Sequence, residues 1–106
     1  MSRIEQFEKM LSTGQDGALL RFSLGNEYLG ADEPGHAAEH LRAAVGFDAD
    51  YSAAWKALGT ALERAGDESG AAEAWNSGIE AAERRGDKQA AKEMQVFVRR
   101  LEKRAR

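Results

Sequence analysis

The sequence predicts an all-α protein, and three of its features lead to that fold class. Its 106 residues include 20 alanines and one proline, whereas valine, isoleucine and threonine together number only seven. Alanine is the strongest helix former, and β-branched residues favour strands. Glycine- and aspartate-rich breaks divide the chain into segments of helix length. A chain of this size has room for one domain with a single core.

The breaks give physical reasons for helices to end and begin. Gly66 and Gly86 suit the left-handed residue after a helix, and Asp67 and Asp87 suit the N-cap of the next one. Pro34 suits a first helical turn. The other aspartates at breaks are also expected to be caps: Asp16, Asp32, Asp48 and Asp50. Helices are therefore predicted at 2–12, 17–30, 34–46, 51–65, 68–85 and 87–104.

An internal repeat of 34 residues relates these helices. Shifted by that distance, LGNEYLGADEPGHAAEHLRAAV (24–45) aligns with LGTALERAGDESGAAEAWNSGI (58–79). Gly25 then meets Gly59, although glycine inside a helix costs about 1 kcal/mol relative to alanine. Carried backwards, the same shift places Phe7 on Leu41. A period of this length in a helical chain indicates stacked helix pairs.

At these residues the sequence resembles the tetratricopeptide repeat family, whose unit is a 34-residue helix-turn-helix. The residues in the family's order and spacing are Leu24, Gly25, Tyr28, Ala37, Leu41, Trp55, Leu58, Gly59, Ala71 and Trp75. The resemblance implies a right-handed solenoid of antiparallel helix pairs, with about six helices in a single domain over 1–106. Its parts are a partial unit at 2–12, repeats at 18–51 and 52–85, and a capping helix at 87–104.

The two repeated glycines have a packing role in this interpretation. Without a side chain at Gly25 or Gly59, the first helix of each unit can lie close against the second, where Ala37 and Ala71 are also small. The large apolar neighbours then supply burial that outweighs the cost of glycine, at about 1.5 to 3 kcal/mol for each side chain. One departure from the family pattern is Gly78, where alanine is usual.

The last predicted helix is amphipathic and ends in positive charge. Its apolar residues fall on one face, as expected of a cap with a wet outer side. Residues 1–98 hold 10 Lys/Arg and 17 Asp/Glu, net −7, whereas 99–106 hold five Lys/Arg and one Glu, net +4. Cations at a helix C-terminus are favoured by the helix dipole. Contact of this tail with nucleic acid is disfavoured, because the acidic body repels phosphate.

No catalytic, cofactor or metal site is predicted, so the protein is not expected to be an enzyme. HAAEH (36–40) fits a zinc peptidase pattern, but the repeat assigns Ala37 and Leu41 to the core, which places His36 and His40 on a solvated rim without a third ligand. Cysteine is absent from the sequence. The first residues contain no continuous apolar run of the kind found in a signal peptide or membrane span, and a cytoplasmic protein is expected.

The family resemblance implies a concave groove lined by the first helix of each unit, which binds a peptide or helix of another protein. Carried over by the 34-residue shift, the groove positions are Leu19, Phe22, Asn26 and Leu29, then Ala53, Lys56, Thr60 and Glu63. On the closing helix, the face opposite the apolar stripe offers Gln89, Lys92, Val96 and Arg99. The expected ligand has apolar anchors for Leu19, Phe22 and Leu29. It also has carboxylates for Lys56, Lys92 and Arg99, while Asn26 binds its backbone.

Two alternatives remain open at this point. Leu19 and Phe22 would leave no apolar groove if they packed under the first helix, through Ile4, Phe7 or Met10. The apolar first-repeat face is also suited to self-association as a homodimer. The family's clamp for the carboxylate of chaperone tails is not assigned, because Phe22 and Ala57 stand where that clamp has lysine and asparagine.

Overall fold

A computed structural model describes residues 1–105, which form six α-helices and contain no β-strand. The helices are α1 (Arg3–Ser12), α2 (Ala18–Gly30), α3 (Pro34–Phe47), α4 (Ser52–Arg64), α5 (Glu68–Arg85) and α6 (Lys88–Arg104). Each begins and ends within one residue of its predicted bounds. The all-α prediction is therefore confirmed.

The predicted caps around the two glycine–aspartate breaks are confirmed. Gly66 and Gly86 have φ values of +89° and +74°, a backbone region that favours glycine. The Asp67 carboxylate accepts the Gly70 N–H at 2.8 Å, and Asp87 accepts the Ala90 N–H at 3.1 Å. Each of these breaks therefore ends one helix and satisfies a free donor of the next.

The caps predicted at Asp16 and Asp50 are wrong, because these side chains have other partners. Gly17 and Tyr51 are the N-caps of α2 and α4. Asp16 pairs instead with Arg21 at 2.8 Å, and Asp50 pairs with Arg84 at 2.7 Å. The other two aspartates lie at helix C-termini. Asp32 is the left-handed residue after α2, where the Glu33 N–H donates to the Tyr28 carbonyl, and Asp48 is the C-cap of α3.

The helices stack in chain order along a molecule that measures 45 × 29 × 18 Å. Helix α2 packs on α3 and α4 packs on α5, while α3–α4 and α5–α6 contacts join these pairs. The first helices of successive units, α2, α4 and α6, also contact one another in that order. Within the described residues 1–105, the backbone of α1 approaches only α2, and none of the α1 residues is buried.

The core is made of small residues around a few large ones. Its largest fully buried side chains are Trp75, Leu24, Leu41, Leu58 and Met94. Ala37 and Ala71 are completely buried between them, and Tyr28 and Trp55 pack against the core at its margin. The indole of Trp75 donates its N–H to the Lys56 carbonyl at 3.0 Å, so its one polar atom is satisfied.

Three helical glycines lie directly under a large side chain of the following helix. A Cβ atom at Gly25 would overlap the side chain of Leu41, and one at Gly59 would overlap the indole of Trp75. The third glycine is Gly78, where a Cβ would overlap the sulfur of Met94 in α6. Each contact joins consecutive helices and places a large side chain over a bare backbone.

One histidine lies differently from its predicted position. His36 is exposed, but His40 is only 7% exposed, and the prediction that it lies on a solvated rim is wrong. Its ring stacks on Tyr28 with centroids 5.4 Å apart. Side chains of α2 and α1 cover the ring together: Arg21 of α2 lies 3.1 Å from Nδ1, and the Glu8 carboxylate of α1 lies 3.4 Å from Nε2.

The His40 ring is neutral in this setting. Arg21 can only donate, and it lies 3.1 Å from Nδ1, so Nδ1 is the acceptor and Nε2 carries the proton. Burial lowers the pKa of His40; the charge of Glu8 opposes this shift, and the charge of Arg21 adds to it. The folded protein therefore favours the neutral ring.

The close contacts give opposite predictions for two helical glycines. Gly59→Ala should lower the free energy of unfolding by about 1 to 3 kcal/mol, because the new methyl group overlaps Trp75. Gly46→Ala should raise it by about 0.4 to 1 kcal/mol, because Gly46 is helical with open space around it. Urea unfolding followed by circular dichroism measures both. A Gly59→Ala protein as stable as the wild type would contradict the packing role.

Buried His40 predicts a loss of stability on acidification. Its pKa is lower in the folded than in the unfolded chain, so the unfolded state binds more protons as the pH falls below about 6.5. The free energy of unfolding should fall between pH 7.5 and 5.5, by at most about 1.4 kcal/mol per pH unit. This slope should be smaller in His40→Gln than in the wild type and in the control variant His36→Gln, measured by urea unfolding at each pH. Equal slopes in all three proteins would exclude His40 as the source.

Candidate functional site

The side chains predicted to line a groove lie on the three helices that contact one another in sequence, α2, α4 and α6. We call this surface the α2/α4/α6 face. Its members differ in how far they are available to a partner. They are described below helix by helix, from the N-terminal end to the C-terminal end.

On α2, two of the four predicted groove residues are open to solvent. Leu19 is 71% exposed, and Asn26 is exposed as well. Phe22 is half-buried and packs on the ring of Tyr51, with centroids 4.8 Å apart. Leu29 is also half-buried against the core. A partner can therefore contact Leu19 and Asn26 fully, and the other two only at their edges.

Leu19 also borders an open apolar groove beside α1. The groove has a volume of about 470 Å³, and its lining includes Phe7, Met10 and Leu20. In the complete units, the residue aligned with Phe7 is Leu41 or Trp75, which covers a glycine of the preceding helix. No helix precedes α1 within residues 1–105. The alternative in which α1 covers Leu19 is therefore wrong, because Leu19 stays exposed beside it.

On α4, the charged residues are already paired. The ammonium group of Lys56 lies 3.1 Å from the Glu93 carboxylate and 6.0 Å from the centre of the Phe97 ring, both on α6. The Thr60 hydroxyl donates to the Lys56 carbonyl at 3.2 Å. Ala53 is exposed and contributes only a methyl group.

Glu63 is paired as well, with two arginines of α6. Arg100 and Arg104 lie 2.9 and 2.7 Å from the same carboxylate oxygen. Burial opposes ionisation of this carboxylate, but the hydrogen bonds from the two arginines outweigh it, so the pKa of Glu63 lies below its usual value. The charges at the centre of the face are thus neutralised within the protein.

On α6, the outward residues of the face are unpaired. Lys92 and Arg99 are exposed, and neither forms an ion pair within residues 1–105. Between them Val96 is 56% exposed, and Gln89 is exposed one turn before Lys92. The face therefore runs from an apolar end at Leu19, across a neutralised centre, to a basic end at Lys92 and Arg99.

The ion pairs between α4 and α6 are not predicted from the sequence, because the repeat changes length between these helices. Helix α4 begins 34 residues after α2, but α6 begins 36 residues after α4, because α5 is four residues longer than α3 and the connection after it is two residues shorter. A strict 34-residue shift aligns Glu63 with Phe97 and gives no sign of Arg100. The segment between the Gly66–Asp67 and Gly86–Asp87 breaks is longer than α3. This difference is the sequence signal that could have revealed the change in repeat length.

Neither a metal-binding cluster nor a membrane-spanning helix is found in the part of the chain that the structure describes. No group of three or more histidine, cysteine, aspartate or glutamate side chains in residues 1–105 is arranged to hold a metal ion. Both ring nitrogens of His40 face other side chains, Arg21 and Glu8. None of the helices described is both long and apolar enough to cross a membrane.

Known proteins resemble this chain in sequence and in fold, although no family model matches it. It is 54% identical over 100 residues to the TPR repeat-containing protein PA0015 of Pseudomonas aeruginosa, covering 94% of this chain and 95% of that protein. The solution structure of protein BPP2914 from Bordetella parapertussis is 49% identical, with a TM-score of 0.83 over 98% of this chain and 90% of that one.

A second solved structure is named for the same repeat. A tetratricopeptide repeat domain protein of Salinibacter ruber is 26% identical, with a TM-score of 0.75 over 82% of this chain and 97% of that chain. The stacked helix pairs, the repeated close contacts at glycine and these relatives agree with one another. The chain belongs to the tetratricopeptide repeat family.

Proposed function

We propose that this protein is a non-enzymatic interaction module that binds a peptide or helical segment of another protein on the α2/α4/α6 face. Proteins of this family generally mediate contacts between proteins. The observation that carries the proposal is the unequal pairing along the face. Leu19 is exposed at one end, and Lys92 and Arg99 form no ion pair within residues 1–105 at the other. The charged residues at the centre already form ion pairs between α4 and α6.

At the apolar end, Leu19 is the anchor for a ligand side chain. Most of its surface is exposed, and burying a leucine is worth about 1.5 to 3 kcal/mol when the burial is complete. Asn26 lies two turns further along α2, and its amide can both donate to and accept from a peptide backbone. The edges of Phe22 and Leu29 extend the apolar contact.

At the basic end, Lys92 and Arg99 bind the ligand's carboxylates. Lys56 was expected to share this role, but its ammonium group is paired with Glu93. A ligand carboxylate would have to displace Glu93 in order to reach it. The proposal therefore assigns acid binding to α6, and to Lys56 only a packing role over Phe97.

A second candidate function is self-association, and a different observation favours it. Helix α1 has no buried residue, and the apolar groove beside it includes Phe7, Met10 and Leu19. Two such grooves brought together by a two-fold axis would cover each other's apolar side chains. The two functions share Leu19, so separate measurements are needed to distinguish them.

The binding proposal predicts selective loss of partners in a variant of the apolar end. Leu19→Asp with Asn26→Ala removes the exposed anchor and the amide without disturbing Phe22, which packs on Tyr51. The matched control is Phe47→Asp with Asn76→Ala, whose wild-type residues are exposed on α3 and α5. Affinity capture from lysate, quantified by mass spectrometry, should show proteins retained by the wild type and the control but lost by the face variant. Circular dichroism checks that both variants fold.

Capture results that are the same for all three proteins would contradict binding on this face. Self-association is measured in parallel by light scattering over a hundredfold range of protein concentration. A dimer that Leu19→Asp dissociates, and Phe47→Asp does not, supports the second function. A wild-type monomer at every concentration excludes it.

A further inference from the structure

We infer that the outer surface of α6 binds an acidic amphipathic helix of the partner, which lies along α6. This inference rests on the proposed interaction function and names the chemistry of the partner at the basic end. The surface is a line of five side chains that we call the basic stripe: Lys88, Lys92, Val96, Arg99 and Lys103.

The geometry of α6 places the stripe on one narrow surface. Its members follow one another at intervals of four, four, three and four residues. At 100° per residue they fall within an arc of about 80°, on the side of the helix opposite the buried Met94 and Leu101. At 1.5 Å per residue the stripe runs for about 22 Å. It therefore occupies four turns of a straight, accessible surface.

The stripe is a concentration of unpaired positive charge. None of its four cations forms an ion pair within residues 1–105. By contrast, Arg100 and Arg104 of the same helix pair with Glu63. The two acids of α6 lie outside the arc, and one of them, Glu93, pairs with Lys56. The helix thus divides its cations between internal partners and the stripe.

The shape of the stripe favours a helix as its occupant. An extended peptide that crosses α6 would contact only one or two of its turns, whereas a helix lying alongside would contact all four. Intervals of three and four residues are also those of the contact line between two packed helices. The complementary partner has carboxylates at the same intervals and an apolar side chain opposite Val96.

Val96 and the rest of the chain argue against nucleic acid as the occupant. Val96 is 56% exposed at the centre of the stripe, where an apolar ligand side chain and the methylene stems of the lysines can cover it. Phosphates offer no such contact. Residues 1–98 carry a net charge of −7, which repels a polyanion larger than the stripe.

The test uses a synthetic 18-residue peptide, held helical by lactam bridges, with glutamates at the stripe's intervals and a central leucine. An isomer of the same composition distributes its glutamates around the helix. Fluorescence anisotropy measures binding to the wild-type protein at two salt concentrations. The designed peptide should bind at least tenfold more tightly than the isomer and weaken in higher salt. Chemical shifts of 15N-labelled protein should change along α6.

Matched charge reversals test the position of the site. Lys92→Glu with Arg99→Glu should weaken binding at least tenfold. Lys9→Glu with Arg42→Glu changes the net charge equally at exposed residues of α1 and α3 and should leave binding within twofold. Circular dichroism and thermal unfolding check that both variants fold. Equal binding of the two peptides, or equal weakening by the two variants, would overturn the inference.

Further outcomes separate this inference from the broader proposal. The same assay is run with duplex DNA and with vesicles of phosphatidylcholine and phosphatidylserine. If either binds more tightly than the peptide, and this binding depends on Lys92 and Arg99, the inference of an acidic helix is overturned in favour of a polyanion. If the peptide does not bind but captured partners still depend on Leu19 and Asn26, the inference alone fails. If the peptide binds but capture of those partners does not depend on Leu19, the inference stands and the proposed binding at the apolar end is wrong.

Discussion

The close approach of helix backbones at three glycines is the constraint on which the rest of the structure depends. At Gly25 and Gly59 it lets a large side chain of the second helix, Leu41 or Trp75, close over the first. At Gly78 the same arrangement involves Met94, and this contact packs α6 against α5. These contacts join α2 to α3, α4 to α5 and α5 to α6, and the packing of α3 on α4 completes the stack in which α2, α4 and α6 contact one another in order. The surface proposed for binding follows from that order.

The same stacking explains why the charges of the face are distributed unevenly. Helices α4 and α6 are close enough for Lys56 and Glu63 to form ion pairs with residues of α6. These pairs neutralise the charges at the centre of the face. On α2, Phe22 is drawn onto Tyr51 by the same closeness. Within residues 1–105, Leu19 stays exposed beside α1, and Lys92 and Arg99 form no ion pair, which leaves an apolar end and a basic end.

Local rules predicted the helices well, because each boundary depends on residues within one turn of it. Gly66, Gly86, Asp67 and Asp87 illustrate such boundaries. Contacts between helices were harder to predict. His40 is buried because side chains of α1 and α2 cover its ring. Asp50 does not cap α4 because its carboxylate pairs with Arg84, 34 residues later. The ion pairs of Glu63 depend on the greater length of α5, which the 34-residue period does not contain.

The openness of α1 on one side has a consequence for how such a chain can be lengthened. In a stacked array each unit contacts only its neighbours, so a unit can be gained at an end that offers an unfilled apolar surface. Within residues 1–105 the N-terminal end has such a surface, because Phe7 lies at the repeat position of Leu41 but covers no glycine of a described helix. Helix α6 instead exposes cations at the other end. The two ends of the described stack therefore differ in the contacts that they offer to a further unit: apolar before α1 and charged on α6.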